Sequence, residues 1–494
     1  MIVLDKVFEK GVLNFFAEIS KIPRGSGNEK AVSDFVAGFA RERGAEVYQD
    51  ELFNLIIKKG ATEGFEGREP VMLQAHLDMV CEKNAGTEFD FEKDAIDLYV
   101  EGDFVKARGT TLGADNGIGV ALCMALIDGA EGLSHPRLEI LLTADEEAGM
   151  TGAMELDISG LESKRMINLD SSDDDIFTMG CAAGATAVYG FFTKYDENEK
   201  HDFHYEVRVS GLKGGHSGVD IHLERGNALK ILAGCLNEID YGAFGMNLID
   251  IKGGMKVNAI PREASATFGW ADDSFVFPLT FEEAFIEISE KYKKHHKNTD
   301  PDLKIELIKL DDSKEYRYLT RELTEKIIYS LMILPSGVIA NSLEIEGLVN
   351  ASNNVGVIEV GEQFTNITSM MRGMTDFYNE ITERTFLGMQ YSLDTELKII
   401  QRSPAWPYNS ESELLKVAQR VFVKQNKREA KVTAVHAGLE CAIFSSRFRE
   451  EKGVELDIIS FSANSYDYHT PDEKLSISSV ERVWVFLQEL LKEI

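Results

Sequence analysis

Val71-Met-Leu-Gln-Ala-His76-Leu-Asp78 is a short apolar run that stops at an imidazole and a carboxylate two residues apart. Three further stretches have the same form: Leu138-Glu-Ile-Leu-Leu-Thr-Ala-Asp145-Glu146-Glu147, Met166-Ile-Asn-Leu-Asp170, and Leu456-Asp-Ile-Ile-Ser-Phe461, followed eight residues later by His469. Between the first two, Leu112-Gly-Ala-Asp115-Asn-Gly-Ile-Gly-Val opens a helical stretch with an aspartate at its mouth. Strand-like runs interleaved with helical spacing predict an α/β fold, a mostly parallel sheet with helices on both faces. Loops at the carboxyl ends of strands in such a sheet converge on one crevice. The convergence would bring two imidazoles and a set of carboxylates to one place, the ligand set of a hydrolytic zinc site with two metals.

Taken singly, each position has a plainer reading. His76 and Asp78 point to the same side of an extended strand end. The imidazole can bind a metal through one nitrogen while Asp78 accepts a hydrogen bond from the other, but a strand-end histidine beside an unrelated aspartate is spelled the same way. Asp115 also suits a plain helix cap, since free backbone N–H groups favour a carboxylate there. Asp145-Glu146-Glu147 can be a solvated turn, or one glutamate can bind metal while its neighbour serves as general base. The sequence does not say which is which. Asp170 ends an apolar strand, and His469 sits in a Tyr-His-Thr-Pro-Asp-Glu turn that would also suit a surface loop. What favours the metal reading is that every candidate follows a strand of the same inferred sheet.

The α/β style holds from residue 1 to about 185, gives way to strands and helices of α+β character over 186–400, and returns over 401–494. The middle part reads as an inserted domain of two similar halves, so that the chain crosses into it and back near 186 and 400. The 494 residues carry a net charge of −31, from 83 acidic against 52 basic side chains. That balance argues against nucleic acid or an anionic membrane as partner. No apolar run approaches the roughly 18 residues of a membrane span. Met1–Ser20 reads as an amphipathic helix interrupted by Asp5, Glu9 and Glu18, unlike a signal peptide. Five widely spaced cysteines without a CxxC fit a reducing cytoplasm rather than a disulfide framework.

Gln74-Ala-His-Leu-Asp-Met-Val80, the run Gly109–Gly119, the run Thr143–Ala153, Asn168-Leu-Asp170 and His469-Thr-Pro-Asp-Glu473 resemble, in order, the motifs of the M20 metallopeptidases. Within that clan the chain looks like the aminoacyl-histidine (Xaa-His) dipeptidases, from about residue 10 to the end. The resemblance implies two zinc ions, with cobalt or manganese able to substitute, and a dipeptide substrate. Asp115 would bridge the metals, His76 and Asp170 would join it on one, and Glu147 and His469 on the other. Glu146 would be the general base and Asp78 the orienting carboxylate. The insertion would be the family's lid. There His216 in Gly211-Leu-Lys-Gly-Gly-His216 would reach the substrate carbonyl, Asn258 would face the substrate and Arg372 would receive its carboxylate. Glu440, in His436-Ala-Gly-Leu-Glu440, would hold the α-amino group. A homodimer is among the assemblies this reading allows. A tripeptidase or N-acyl amino acid deacylase of the same clan, and a non-catalytic peptide- or metal-binding protein, are the alternatives.

Overall fold

A computed structural model describes residues 7, 11–129, 132–243, 246–270 and 281–494. The first helix runs over Val12–Ile19, and the earlier part of the expected amphipathic helix, with Asp5 and Glu9, lies outside the described residues. The chain forms two compact units. The first consists of Met1–Gly180, Tyr408–Ala434 and Leu439–Ile494; the second of Cys181–Pro407 and Val435–Gly438.

The first unit is built on an eight-stranded sheet. Its strands, in chain order, are β1 (Glu46–Gln49), β2 (Leu55–Lys59), β3 (Val71–His76), β4 (Leu138–Thr143), β5 (Arg165–Asn168), β6 (Ile176–Cys181), β7 (Lys431–Val435) and β8 (Asp457–Ser460). Their spatial order is β1-β2-β4-β3-β5-β8-β6-β7. The four strands β4-β3-β5-β8 are parallel, while β1–β2, β2–β4 and β8–β6 pair antiparallel. The parallel part is thus the centre of a mixed sheet, and it contains all four strands whose carboxyl ends carry the candidate residues.

Side chains alternate across this centre with period two. Val71, Leu73 and Ala75 of β3, Leu138, Ile140 and Leu142 of β4, and Ile167 of β5 enter one hydrophobic core, shared with the helices Val12–Ile19, Lys30–Glu42, Ala114–Asp128, Glu413–Asn426 and Ile477–Glu493. The intervening residues face the other way: Gln74 and His76 of β3, Thr143 of β4 and Asn168 of β5 are polar and fully buried. One register therefore fixes both an apolar face and a polar row that ends at His76.

The second unit has its own core around a nine-stranded sheet. Strands Phe203–Ser210, Asn247–Gly253, Ala264–Trp270 and Lys304–Lys309 make one half. Ala183–Phe192, Gly337–Asn341, Val349–Val360, Phe364–Gly373 and Glu396–Ser403 make the other. The halves expected from element order are joined into one sheet by the pairing of Gly253 with Ile358. The segment 256–259, read from sequence as a strand, is mostly a turn, flanked by the strand Asn247–Gly253 and the short strand Ala259–Ile260. No helix among the described residues is long and apolar enough to cross a membrane.

Candidate metal centre

The carboxyl ends of β3, β4 and β5, the mouth of the helix Ala114–Asp128 and the turn before Lys474–Ser476 meet in the first unit. His76 Nε2 lies 3.0 Å from Asp115 Oδ1 and 3.4 Å from Asp170 Oδ1. His469 Nε2 lies 3.0 Å from Glu147 Oε1 and 3.4 Å from Asp115 Oδ2. His76, Asp115 and Asp170 form one group whose ligand atoms all lie within 4.8 Å of one another, and Asp115, Glu147 and His469 form a second. Asp115 belongs to both and turns a different oxygen to each imidazole. His76, Glu146 and Glu147 make a third such group.

The other ring nitrogen of His76 lies 3.3 Å from Asp78. Asp78 is in turn held by Ser26 Oγ at 2.7 Å and by the backbone N–H groups of Glu146 and Glu147, each at 3.1 Å. Burial pushes the Asp78 carboxyl up, but these donors and the His76 charge bring it down to about 2. One carboxylate thereby orients the first histidine and the backbone that presents both glutamates. Asp145, the first acid of the triplet, adopts left-handed backbone (φ 62°) and accepts a hydrogen bond from Thr151 Oγ1. It closes the turn, and the pair that remains is Glu146 and Glu147.

The donor chemistry fits divalent cations. Burial raises the Glu146 carboxyl well above its usual range and raises Glu147 and Asp170 as well, with neighbouring carboxylates adding repulsion. His469 is pushed up to about 10 by Asp115 and Glu147, and His76 is held well above its usual value by carboxylates that outweigh its burial. Imidazoles that bind protons this strongly among crowded carboxylates are sites where bound cations would replace the protons.

Several supporting residues were not foreseen. Glu473 accepts four backbone N–H groups, from Leu112, Gly113, Ala114 and Asp115, at 2.7 to 3.4 Å. The buried Arg24 guanidinium donates to the carbonyls of Leu77, Asp78 and Gly113. Gly113 has φ +69°, and a Cβ there would lie 2.6 Å from Arg24 Nη2. The glycine spacing around Asp115 therefore serves a close approach by an arginine from far up the chain. Asn116 Nδ2 donates to Asp170 Oδ1 at 2.5 Å. Glu473 lies inside the His469-Thr-Pro-Asp-Glu473 motif but was given no role there, and nothing local marks Arg24.

Behind His76 the polar row continues. Glu440 Oε2 accepts from Gln74 Nε2 at 2.6 Å and Thr143 Oγ1 at 2.7 Å, while Oε1 has no hydrogen-bond partner among the described residues. Burial pushes its carboxyl up to about 8. Gln74 accepts from Asn168, and Asn168 accepts from Ser460 and from the N–H of Asp170.

The second unit brings together His216, Asn258 and Arg372. Gly215 and His216 pair with Ile260 and Ala259, and Ser217 N–H donates to the Asn258 carbonyl at 2.9 Å. Asn258 is exposed in the turn described above. His216 Nδ1 accepts from Gly218 N–H and Val219 N–H, which leaves Nε2 to carry the proton. Burial, then the Arg372 charge, lowers His216 to about 4, so the ring is a neutral donor at neutral pH. A Cβ at Gly218 would lie 2.1 Å from the His436 carbonyl oxygen, 3.1 Å from Arg372 Nε and 3.2 Å from His216 Cε1, so only glycine lets these groups converge. Arg372 is buried, its Nε has no hydrogen-bond partner among the described residues, and burial pulls it down to about 10. His436, hydrogen-bonded to Ser352 at 2.7 Å, was not foreseen as part of this cluster.

Two three-ligand clusters sharing one carboxylate at the strand ends of an open α/β sheet are the arrangement of a metal-dependent hydrolase. The chain belongs to peptidase family M20/M25/M40, whose sequence profile matches residues 72–493. It is 36% identical over 499 aligned residues to the cytosol non-specific dipeptidase of Escherichia coli, covering 99% of each protein. It is 33% identical to the crystal structure of an aminoacylhistidine dipeptidase from Vibrio alginolyticus, with a TM-score of 0.83 and coverage of 98% and 96%. A metallo-carboxypeptidase from Sulfolobus solfataricus, at 14% identity, TM-score 0.53 and coverage of 98% and 99%, shares the fold. The dipeptidase character expected from the sequence agrees with the first two relatives.

Proposed function

We propose that this protein is a dinuclear metal dipeptidase of the cytoplasm that cleaves unblocked dipeptides, Xaa-His dipeptides among them. The observation that carries the reading is the pair of ligand groups meeting at Asp115, one oxygen to each, with Glu146 beside them. Zinc ions held by His76, Asp115 and Asp170, and by Asp115, Glu147 and His469, would act as Lewis acids and supply a nucleophile from water near neutral pH. Cobalt or manganese would serve in the same donor set.

The protein's own groups do the rest. Asp78 fixes the His76 tautomer and, through the N–H groups of residues 146 and 147, the direction of both glutamates. Glu146 takes the proton of the attacking water and returns it to the leaving amine. Its burial favours the proton-holding form midway through that cycle. His216 Nε2–H donates to the carbonyl oxygen as negative charge develops there. Arg372 receives the C-terminal carboxylate as a bidentate pair, which limits the length of the peptide. Glu440, with one oxygen held by Gln74 and Thr143 and the other unpartnered among the described residues, takes the α-amino group, and Asn258 lines the substrate. Five widely spaced cysteines without a CxxC and the cytosolic designation of the Escherichia coli relative support the cytoplasmic assignment.

The test is metal content beside hydrolysis of β-Ala-His, other Xaa-His dipeptides, other dipeptides, tripeptides and N-acetyl amino acids. The reading requires bound metal and turnover of free dipeptides. Turnover confined to tripeptides or to N-acetyl amino acids would replace it.

A further inference from the structure

The second unit contains a cavity of about 800 Å³ whose wall carries Arg225, Lys230, Lys291, Lys294, His295 and His296 and, among the described residues, no carboxylate. In a chain where acids outnumber Lys and Arg by 83 to 52, this is a local inversion of charge. Part of it has an ordinary cause: Lys294, His295 and His296 end the helix Phe281–His296, where cations offset unpaired carbonyls. That cause does not account for Arg225 and Lys230, which come from a different turn and a different helix.

The cations differ in how far they are already engaged. Lys230 donates to the carbonyls of Leu331, Met332 and Leu334, and burial lowers it to about 8. Lys291 pairs with Glu238 at 2.7 Å, and His296 feels the Asp300 charge. Asn227 and Ser336 add neutral hydrogen-bonding groups. Together with Arg225 they also line an adjoining cavity of about 260 Å³ that reaches Asn354 and Ile260 and has one acid, Glu224, in its wall. Cationic side chains with neutral donors, and a main wall that carries no carboxylate among the described residues, suit a compact oxyanion.

Arg225 connects this wall to the turn that carries His216. Its Nη1 donates to the Gly214 carbonyl at 2.5 Å. On the other side of that turn Asp220 accepts the His216 N–H at 2.8 Å. A Cβ on Gly215 would lie 2.7 Å from Arg225 Nη1 and 2.8 Å from Asp220 Oδ2, so the two side chains clasp the backbone between them. An anion bound to Arg225 would compete with the Gly214 carbonyl for that donor.

We propose that this cavity binds a small oxyanion of the phosphate class, and that Arg225 passes its occupancy to the turn at residues 214–220. The binding does not depend on the catalytic role given to His216; only its effect on turnover rests on that reading. The probe is inorganic phosphate, with sulfate in parallel, titrated calorimetrically into the metal-loaded protein at ionic strength held constant with sodium chloride. Saturable binding is expected, weakened roughly tenfold in Lys291→Gln/Lys294→Gln. Hydrogen exchange over residues 214–220 should change on saturation in the wild type, and the same change in the variant should need about tenfold more phosphate. Absence of saturable binding, or binding that the double variant leaves intact, overturns the site. Binding with unaltered exchange overturns the link to the turn. A His216→Ala enzyme of full activity would refute the role of that histidine while leaving the phosphate result to stand by itself.

Discussion

At the scale of single residues, the neighbours Glu146 and Glu147 divide two tasks. Glu147→Ala should lower the metal content, because Glu147 shares a ligand group with Asp115 and His469. Glu146→Ala should keep both metals and lose ~10²–10⁴ in kcat, the usual cost of a missing general base. Atomic absorption beside kcat for each variant separates the roles; metal loss in Glu146→Ala alone would exchange them. His216→Ala should retain metal and lose roughly 10²–10³ in kcat, as for one oxyanion donor, and metal loss there would make it a ligand. His216 and His436 also give a pH signature. Both are depressed on folding, to about 4 and about 3, by burial and then by Arg372. The unfolded chain, with histidines near ~6.5, takes up their protons first as pH falls. Their contribution to stability is therefore complete above about pH 6.5 and is lost progressively as pH falls toward their folded values. The stability difference between wild type and His436→Gln, measured by denaturant unfolding from pH 7 to 4.5, should shift in favour of the variant as pH falls. A difference independent of pH would contradict the neutral buried state of His436.

At the scale of elements, the informative unit is the loop Leu112–Asp115, whose N–H groups converge on Glu473. Glu473→Gln keeps the size but replaces one acceptor oxygen by a donor that would face those N–H groups. It should weaken metal binding roughly 10–100-fold, the range for groups that support ligands, while far-ultraviolet circular dichroism stays unchanged. Affinity equal to wild type in a competition titration would reduce Glu473 to a simple cap. The same scale shows what could be read from sequence. The strands β3, β4 and β5 were legible because a short apolar run, buried nearly throughout, ends in a candidate ligand in each. Asp78 was legible from its spacing to His76. Arg24 was not, because it acts across 54 positions on carbonyl groups that no side-chain pattern announces. In the second unit the segment 256–259 carries alternating apolar residues like a strand but turns, and the helix Arg321–Ile333 and strand Lys304–Lys309 were not anticipated. Their faces pack on partners distant in sequence, and short-range periodicity does not contain that information.

At the scale of the whole molecule, metal and charge belong together. Chelation should abolish activity, and about two equivalents of Zn²⁺, Co²⁺ or Mn²⁺ should restore it; full turnover without metal would remove the mechanism. Removal should also lower the melting temperature, because ions that bind only the folded state stabilise it by mass action, and crowded buried carboxylates would lose their counter-charge. An unchanged melting temperature on chelation would mean that the ligand groups are not occupied in solution. The central sheet has a further consequence, one of time. Strand β5 pairs with β8, and His469 follows β8, so the sheet and the second ligand group wait for the last stretch of chain. At roughly 5–20 residues per second, a ribosome needs on the order of tens of seconds between releasing β5 and releasing β8. Throughout that interval the nascent polypeptide carries His76, Asp115 and Asp170 without the Glu473 carboxylate that holds the Asp115 loop, and an unpaired parallel edge, the kind of surface that chaperones engage.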